Sequence, residues 1–342
     1  MRSRPVYDDI KRAYPGAHLF GCSTAGEIYQ TEVTDDTVVA TAIRFDETPI
    51  QTASFSIMSS DESFEAGKKL AMSLPQDDLR YLFVLSDGLN VNGSRLVEGL
   101  TRHLPSRVVV TGGLSGDGER FKETVVLLDG PAEKNLIGAV GLYGSRLKIG
   151  CGSLGGWDPF GPERRITSSR GNVLFKLDGK SALELYKKYL GEHADALPAS
   201  GLMFPLSLRT DSGKSGVVRT ILSVDEAHQS MTFAGDLPEG AFVRLMKANF
   251  DRLIDGSVEA AKISSETLGT DRPELAILIS CVGRKLVLKQ RIEEEVEGVR
   301  EIMGSSTPLT GFYSYGEISP FTRTAKCELH NQTMTITTLS EE

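Results

Sequence analysis

GCSTAGEI at residues 21–28 and GFYSYGEI at residues 311–318 share the pattern G-x-x-[ST]-x-G-E-I at opposite ends of the chain. A third Gly-rich stretch, GGLSGDG at residues 112–118, keeps the glycine and the serine and carries an acid at Asp117. Each stretch follows a strand-like run and precedes another one. The sequence therefore indicates a module that recurs three times: an apolar strand, a helix, a strand ending in a Gly-rich loop, and a further strand.

The middle and last copies contain the whole module. In the middle copy, an apolar run at residues 81–85 precedes a helical spacing of apolar residues over 94–104, and β-branched residues 108–110 lead into the loop. In the last copy, the apolar run 275–279 precedes a Glu- and Arg-rich helix over about 291–303. Both copies predict a strand, a helix and a second strand that ends in the Gly-rich loop.

The first copy is incomplete. A short helix at residues 6–14 leads to the first Gly-rich loop, and residues 38–45 are predicted to form the strand that follows it. By the pattern of the other copies a strand should precede residue 1, so the opening strand is predicted to be missing, through truncation or a misassigned start. The absence of that strand would leave an exposed sheet edge, which favours association.

The predicted fold is α+β, or mixed α/β, with two halves. Repeated β-α-β-loop-β units form extended mixed sheets, and helices pack outside them. The predicted domains are residues 1–200 and 215–340, separated by a less regular stretch. Residues 240–261 within the second domain are predicted to be helical.

Composition excludes several classes of protein. The chain has 342 residues, of which 40% are hydrophobic, and a net charge of −8 that argues against nucleic acid as a partner. No apolar run is long enough to span a membrane and no signal peptide is evident, so a cytoplasmic protein without membrane insertion is predicted. The four cysteines show no CxxC pair, which disfavours disulfides and structural zinc.

The Gly-rich loops are the candidate binding site. Glycine lets a ligand approach the main chain closely, and successive exposed N–H groups can bind an anion, so three such loops could surround a small polar ligand. Glu27 and Glu317 either bind an ammonium group or cap nearby N–H groups, and Trp157 is either a pocket wall or a packed loop anchor. The predicted ligand-binding residues are Cys22, Ser23, Thr24, Gly26, Glu27, Gly113, Ser115, Asp117, Trp157, Arg164, Cys281, Arg284, Tyr313, Ser314, Tyr315 and Glu317.

Catalysis and metal binding are the alternatives. Cys22 and Cys281 both follow strand-like runs, where a nucleophilic thiol could lie. A nucleophilic enzyme also needs a base and a group that orients the base, and the sequence shows no recognisable pattern that supplies them. The chain is therefore predicted to be non-enzymatic, with a Cys-dependent enzyme as the alternative. His330 is either a metal or haem-iron ligand or a hydrogen-bonded structural histidine, and the sequence favours the structural role.

The chain resembles the FIST family, with both its N-terminal and C-terminal domains. The resemblance spans nearly the whole chain, and the one departure is the absent opening strand. The stretches that carry it are GCSTAGEI (21–28), GGLSGDG (112–118), GGWDPFGPERR (155–165), SCVGRK (280–285), GFYSYGEISP (311–320) and ELHNQT (328–333).

The resemblance implies a bacterial sensory protein that binds a small ligand such as an amino acid. It also implies a separate signalling partner, which would be a histidine kinase, a cyclic-dinucleotide enzyme or a chemoreceptor. One subgroup of the family binds haem and senses nitric oxide, and this makes His330 a candidate iron ligand. No cofactor is otherwise predicted.

Overall fold

A computed structural model describes residues 3–209, 215–269, 272–320 and 325–342 of the chain. The helices are α1 (Ser3–Ala13), α2 (Ser63–Ser73), α3 (Gly93–His103), α4 (Ala182–Leu190), α5 (Phe250–Leu268), α6 (Val282–Leu288) and α7 (Ile292–Met303). The strands of the first half are β1 (Phe20–Cys22), β2 (Glu27–Tyr29), β3 (Glu32–Thr34), β4 (Ile50–Ser56), β5 (Leu79–Ser86), β6 (Val109–Leu114), β7 (Val126–Leu128), β8 (Leu136–Tyr143) and β9 (Leu147–Leu154). The remaining strands are β10 (Asp158–Arg170), β11 (Val173–Leu177), β12 (Lys180–Ser181), β13 (Leu206–Arg209), β14 (Ser215–Arg219), β15 (Ile221–Asp225), β16 (Ser230–Phe233), β17 (Phe242–Lys247), β18 (Leu275–Cys281), β19 (Leu309–Ser314), β20 (Gly316–Pro320), β21 (Cys327–His330) and β22 (Met334–Glu341).

Two six-stranded mixed sheets form the centre of the fold, with strand orders β21-β20-β6-β5-β8-β4 and β3-β2-β19-β18-β22-β9. Each contains one parallel pair, β5 with β6 and β18 with β19, joined by helical connections through α3 and through α6 and α7. On its other side, β5 pairs antiparallel with β8, and β18 pairs antiparallel with β22. The predicted mixed α and β fold in two halves is confirmed, and its two complete modules have the same strand arrangement.

The two sheets exchange strands at the Gly-rich loops. The β2–β3 hairpin pairs with β19, while β20 and β21 extend the other sheet beyond β6. The registers are equivalent, because Ile28 lies opposite Gly311 and Ile318 lies opposite Gly112. The matching G-E-I sequences therefore have the same structural role, since each carries the chain out of one sheet and into the next.

A third, eight-stranded sheet is inserted between β9 and α5. Its order is β14-β13-β17-β10-β11-β16-β15, with β12 on β11. Helix α4 packs on this sheet and buries Leu183 and Tyr186 against a separate apolar cluster that includes Met231 and Phe233. No helix in the described parts of the chain is long and apolar enough to cross a membrane.

Two local sequence predictions are wrong. Residues 240–261 begin with strand β17 rather than helix, because Val243 and Leu245 are buried while Arg244 between them is exposed, a period of two. Residues 38–45 form no strand, although they are rich in β-branched side chains. In the complete modules the equivalent strand pairs with the opening strand of its own module, and no described strand lies in that position here.

Candidate functional site

The three Gly-rich loops meet at the junction of the sheets. The Ala25 N–H donates to the Tyr313 carbonyl at 2.8 Å, and the Tyr313 N–H donates back to the Gly26 carbonyl at 2.8 Å. The middle loop joins them where the Gly116 N–H donates to the Ser23 carbonyl at 3.0 Å. Segments from both ends and the middle of the chain therefore converge, as their shared sequence pattern predicts.

Several main-chain donors of these loops are already used within the protein. The Gly26 N–H donates to Oγ1 of Thr24 at 3.3 Å, and the Ser115 N–H donates to the Ser86 carbonyl at 2.8 Å. Ser23 and Gly113 are likewise engaged, with Val125 and with the β6–β20 ladder. The loops pack so closely that each supplies the hydrogen-bond partners of the next.

Glu317 is enclosed within the last loop. Its side chain is fully buried and accepts hydrogen bonds from Oγ of Ser314 at 2.7 Å and from Oγ1 and N of Thr333 at 2.9 and 3.2 Å. Burial raises the pKa of Glu317 to about 8 in spite of these donors. The carboxylate holds the loop against β22, which is the capping role rather than ammonium binding.

Glu27 repeats this arrangement in the first loop. It accepts hydrogen bonds from Oγ1 of Thr24 and from Oγ1 and N of Thr37, the last two at 2.9 and 3.4 Å. An acid, a hydroxyl three residues before it and a distant threonine thus occur in both outer loops. The two equivalent carboxylates fasten equivalent turns.

Asp117 organises the segment after the middle loop. Its carboxylate accepts hydrogen bonds from the main-chain N–H groups of residues 121–123 and from the hydroxyl of Tyr315. Tyr315 is buried and stacks on Phe121, with ring centroids 4.7 Å apart. This contact joins the middle loop to the last one and leaves the tyrosine hydroxyl no room for a ligand.

Arg284 forms a buried ion pair rather than a binding contact. Its guanidinium lies 2.7 Å from the carboxylate of Glu295 and also donates to the carbonyls of Gly155 and Leu253. The hydroxyl of Tyr313 donates to the same carboxylate at 2.8 Å. Because all these groups are buried and mutually satisfied, removing one partner would leave an uncompensated charge.

Neither candidate nucleophile has the surroundings of a reactive thiol. Burial and the nearby Glu27 raise the pKa of Cys22 to about 12. Burial, together with Glu317, raises the pKa of Cys281 well above its ordinary value. Reactive cysteines depend on neighbours that favour the thiolate, whereas both thiols here are apolar packing groups beside acids.

Two predicted site residues lie elsewhere. Trp157 packs with Met246 and Leu253 and donates its indole N–H to the Gln332 carbonyl at 3.0 Å, so it is a packed anchor where the inserted sheet begins. Arg164 lies in β10 of the inserted sheet and donates to Asp178 at 3.0 Å and to a tyrosine hydroxyl. The hydrogen-bond partners of both side chains lie outside the Gly-rich loops.

His330 is also engaged within the protein. It is buried, its Nε2 lies 2.7 Å from the Ser319 carbonyl, and burial lowers its pKa to about 4. A neutral ring next to a carbonyl oxygen carries its proton on Nε2, which leaves that nitrogen unsuited to ligating iron. Among the described residues no group of three or more His, Cys, Asp or Glu side chains could hold a metal ion.

A cleft of about 300 Å³ opens beside the converged loops. All three modules contribute to it: Asp35 follows the first loop, Glu119 follows the middle loop, and helix α6 belongs to the last module. This volume is at the lower end of those that hold small-molecule ligands. The lining includes Val33, Asp35, Glu119, Lys285, Lys289 and Ile292.

Lys285 joins the loops to this cleft. Its ammonium donates to the Ala25 carbonyl at 3.0 Å, pairs with Asp35, and lies 5.4 Å from the centre of the Tyr313 ring. A Cβ atom on Gly26 would lie 2.2 Å from the lysine Nζ, and Gly26 has a φ of +132°. Glycine at this position of the shared motif therefore gives the lysine its place in the wall of the cleft.

The sequence interpretation missed all four charged residues of the cleft, Asp35, Glu119, Lys285 and Lys289, and none of its predicted ligand-binding residues lines the cleft. Glu119 and Lys289 are exposed, and neither side chain has a hydrogen-bond or ion-pair partner within the described residues. Lys289 ends α6 with a φ of +49°, a conformation that side chains other than glycine adopt rarely. Its position four residues after the SCVGRK segment was the available signal.

The chain is similar to known proteins over most of its length. A family model for the FIST N domain matches residues 2–180, and one for the FIST C domain matches residues 182–320. A protein described as uncharacterized from Methanocaldococcus jannaschii is 26% identical over 322 residues. The alignment covers 86% of this chain, and it spans 60% of the length of that relative.

Proposed function

The chain belongs to the FIST family, whose domains are associated with sensory signal transduction, and on this premise we propose that it is a small-ligand sensor. The ligand occupies the cleft between the three modules. The observation that carries this proposal is the pair of opposite charges in that cleft, Glu119 and Lys289, whose side chains have no partner among the described residues. Surface charges usually need no partner, but these two line the same concave site.

The proposed ligand is a zwitterion of the size of an amino acid. Lys289, with Lys285 behind it, would hold a carboxylate, while Glu119 would hold an ammonium group. The apolar side chains of Val33 and Ile292 line the same cleft and would contact an aliphatic portion of the ligand. Each charge of the ligand is then paired with a side chain of opposite charge in the cleft.

Binding in this cleft would act on all three modules together. Asp35 and Glu119 follow Gly-rich loops that main-chain contacts already join, and Lys285 lies on α6 and donates to the Ala25 carbonyl of the first loop. A ligand that bridges them would stabilise one arrangement of the loops, which is how a binding event becomes a signal. We propose that a separate cytoplasmic partner reads this change, either a histidine kinase, a cyclic-dinucleotide enzyme or a chemoreceptor.

A thermal-shift screen with the common amino acids tests the proposal. A ligand that binds only the folded state raises the apparent melting temperature in proportion to the logarithm of its concentration. Lys289→Gln and Glu119→Gln should each weaken binding of the best hit about tenfold or more, because each leaves one ligand charge unpaired. Lys262→Gln, an exposed lysine on α5, is the matched control and should bind like the unchanged protein.

Two different outcomes would contradict the proposed ligand and the proposed site. No shift with any amino acid in a folded protein would count against the zwitterion. A hit that binds with unchanged affinity in both cleft variants, measured by calorimetry, would mean that a ligand binds elsewhere and would overturn the assignment of the cleft.

A further inference from the structure

Lys285 is the least exposed charged side chain of the cleft. Only 15% of it is exposed, and its ammonium donates to the Ala25 carbonyl at 3.0 Å and lies 5.4 Å from the centre of the Tyr313 ring. Neither of these two groups carries a charge. The ion-pair partner of Lys285 is Asp35, which follows strand β3. Because a largely buried ammonium is costly without an opposite charge, Lys285 needs an anion in this position.

Asp35 differs from Lys285 in its exposure. Its side chain is 68% exposed, and Lys285 is the one donor to its carboxylate among the described residues. An exposed carboxylate can return to water at little cost, whereas the largely buried lysine cannot. The lysine therefore requires an anion, but the anion that it has does not require the lysine. This asymmetry makes the Asp35 carboxylate the exchangeable member of the pair.

Lys289 lies one helical turn from Lys285. The Lys289 N–H donates to the Lys285 carbonyl at the end of α6, and both side chains line the cleft. One turn corresponds to about 5.4 Å along the helix axis. The two carboxyl groups of aspartate or glutamate are separated by two or three carbon atoms and can bridge such a distance. The spacing of the two lysines along α6 therefore suits a small dicarboxylate.

The charges of the cleft favour an anionic ligand once Asp35 is displaced. With Asp35 in place, the two lysines are balanced by Asp35 and Glu119. Without it, the lysines exceed Glu119 by one positive charge, which is the charge that an acidic amino acid neutralises. A neutral amino acid, with one carboxylate and one ammonium group, would leave Lys285 dependent on Asp35.

We infer that the ligand is an amino acid with a second carboxylate in its side chain, and that this carboxylate takes the place of Asp35 on Lys285. The inference rests on the proposed function and specifies the class of ligand. The α-carboxylate binds Lys289, the ammonium group binds Glu119, and the side-chain carboxylate binds Lys285. Each contact is a charge-assisted hydrogen bond, which is stronger than one between neutral groups.

Displacement of Asp35 would also act on the first Gly-rich loop. Thr37 donates its hydroxyl to the Glu27 carboxylate at 2.9 Å, and this carboxylate fastens the loop. Oγ1 of Thr34 lies 2.8 Å from Oγ1 of Thr37, which closes the turn that carries Asp35. The turn is thus tied to the loop, so the exchange of carboxylates on Lys285 is coupled to the junction of the sheets.

Calorimetric titration with matched pairs of ligands tests the inference. Glutamate and glutamine have nearly the same shape and differ in the charge of the side chain, as do aspartate and asparagine. The acid of at least one pair should bind about tenfold or more tightly than its amide, because the amide cannot balance Lys285. O-phosphoserine presents a phosphate to the same lysine, and tighter binding of it than of both acids would overturn the assignment of a carboxylate.

Asp35→Asn tests the exchange of carboxylates. It removes the competing charge and should tighten binding of the acidic ligand about threefold or more, because the binding-competent state is then always populated. Asp36→Asn is the matched control. Asp36 is exposed and does not line the cleft, and its φ of +55° is one that asparagine tolerates, so this variant should bind like the unchanged protein.

Lys285→Gln and Lys289→Gln separate the two carboxylate sites. Lys285→Gln should weaken binding of the acid about tenfold and leave that of its amide unchanged, whereas Lys289→Gln should weaken both alike, since both ligands carry the α-carboxylate. An amide that binds as tightly as its acid, or an Asp35→Asn variant with no gain in affinity, would overturn the inference and leave the proposed function standing. If no amino acid binds to the unchanged protein or to folded Asp35→Asn, the proposed function fails, and this inference fails with it.

Discussion

At the scale of single residues, Glu317 predicts a dependence of stability on pH. Its pKa of about 8 in the folded protein lies above the ordinary value near 4.5, so the folded state holds the proton more tightly than the unfolded chain. The free energy of unfolding should therefore fall as pH rises between these values, by at most about 1.4 kcal/mol per pH unit. Glu317→Gln, which cannot ionise, should lose this slope in urea titrations from pH 5 to 9.

Thr333→Val provides the control for that measurement. The threonine hydroxyl donates to the Glu317 carboxylate at 2.9 Å and lowers its pKa, in opposition to burial. Removing the hydroxyl should move the upper end of the pH-dependent range to higher pH without abolishing it. An identical slope in the unchanged protein and in Glu317→Gln would show that another group titrates.

Individual residues also show which parts of the site the sequence can predict and which it cannot. The shared motif identifies Thr24, Gly26 and Glu27 as a structural unit, and the fold confirms that the loops meet. The motif cannot reveal Glu119 or Lys289, because both lie outside the pattern and their proximity arises only when three modules pack together. Conversely, Trp157 and Arg164 stand out by residue type, but Trp157 packs at the junction with α5 and Arg164 pairs with Asp178 within the inserted sheet, which has no repeat to mark its extent.

At the scale of elements, close helix packing in the middle module depends on glycine. A Cβ atom on Gly99 of α3 would lie 2.1 Å from the Phe64 carbonyl oxygen of α2, so Gly99→Ala must push the helices apart. It should reduce the free energy of unfolding by about 1–3 kcal/mol. At Gly298 of α7, the corresponding Cβ would meet only a side-chain methyl of Val258, at 2.7 Å.

Gly298→Ala is therefore the matched comparison. The methyl group can move, and alanine favours helix by up to about 1 kcal/mol over glycine, so the net change should be close to zero. Urea denaturation of both variants measures the difference. Equal destabilisation would indicate that α5 and α7 are packed as rigidly as α2 and α3.

The elements that the sequence predicts well are those whose hydrophobic pattern agrees with a complete module. Helix α3 and strands β5 and β18 lie where periodicity places them, because each is buried by neighbours from its own repeat. Residues 38–45 have the pattern of a strand without the strand that would pair with them. A strand needs a second strand to pair with, and the composition of one segment does not show whether such a partner is present.

At the scale of the whole molecule, strand exchange ties the two halves together. Strand β2 from the first half pairs with β19, and β20 from the second half pairs with β6, so each central sheet contains strands from both halves. Unfolding one half would expose unpaired edges and buried apolar clusters in the other. The free energies of the two halves are therefore coupled, even though the family models divide the chain near residue 181.

This coupling predicts a single unfolding transition for the two central sheets. Trp157, the only tryptophan, packs at the start of the inserted sheet against α5, so its fluorescence reports on the junction, while far-ultraviolet circular dichroism reports on all sheets. The two urea curves should superimpose.

A fragment comprising residues 182–342 should not fold alone, because it lacks β2, β3 and β9 of its own central sheet. A well-folded fragment, or a fluorescence midpoint clearly separated from that of circular dichroism, would mean that the exchanged strands contribute little and that the halves behave as independent domains.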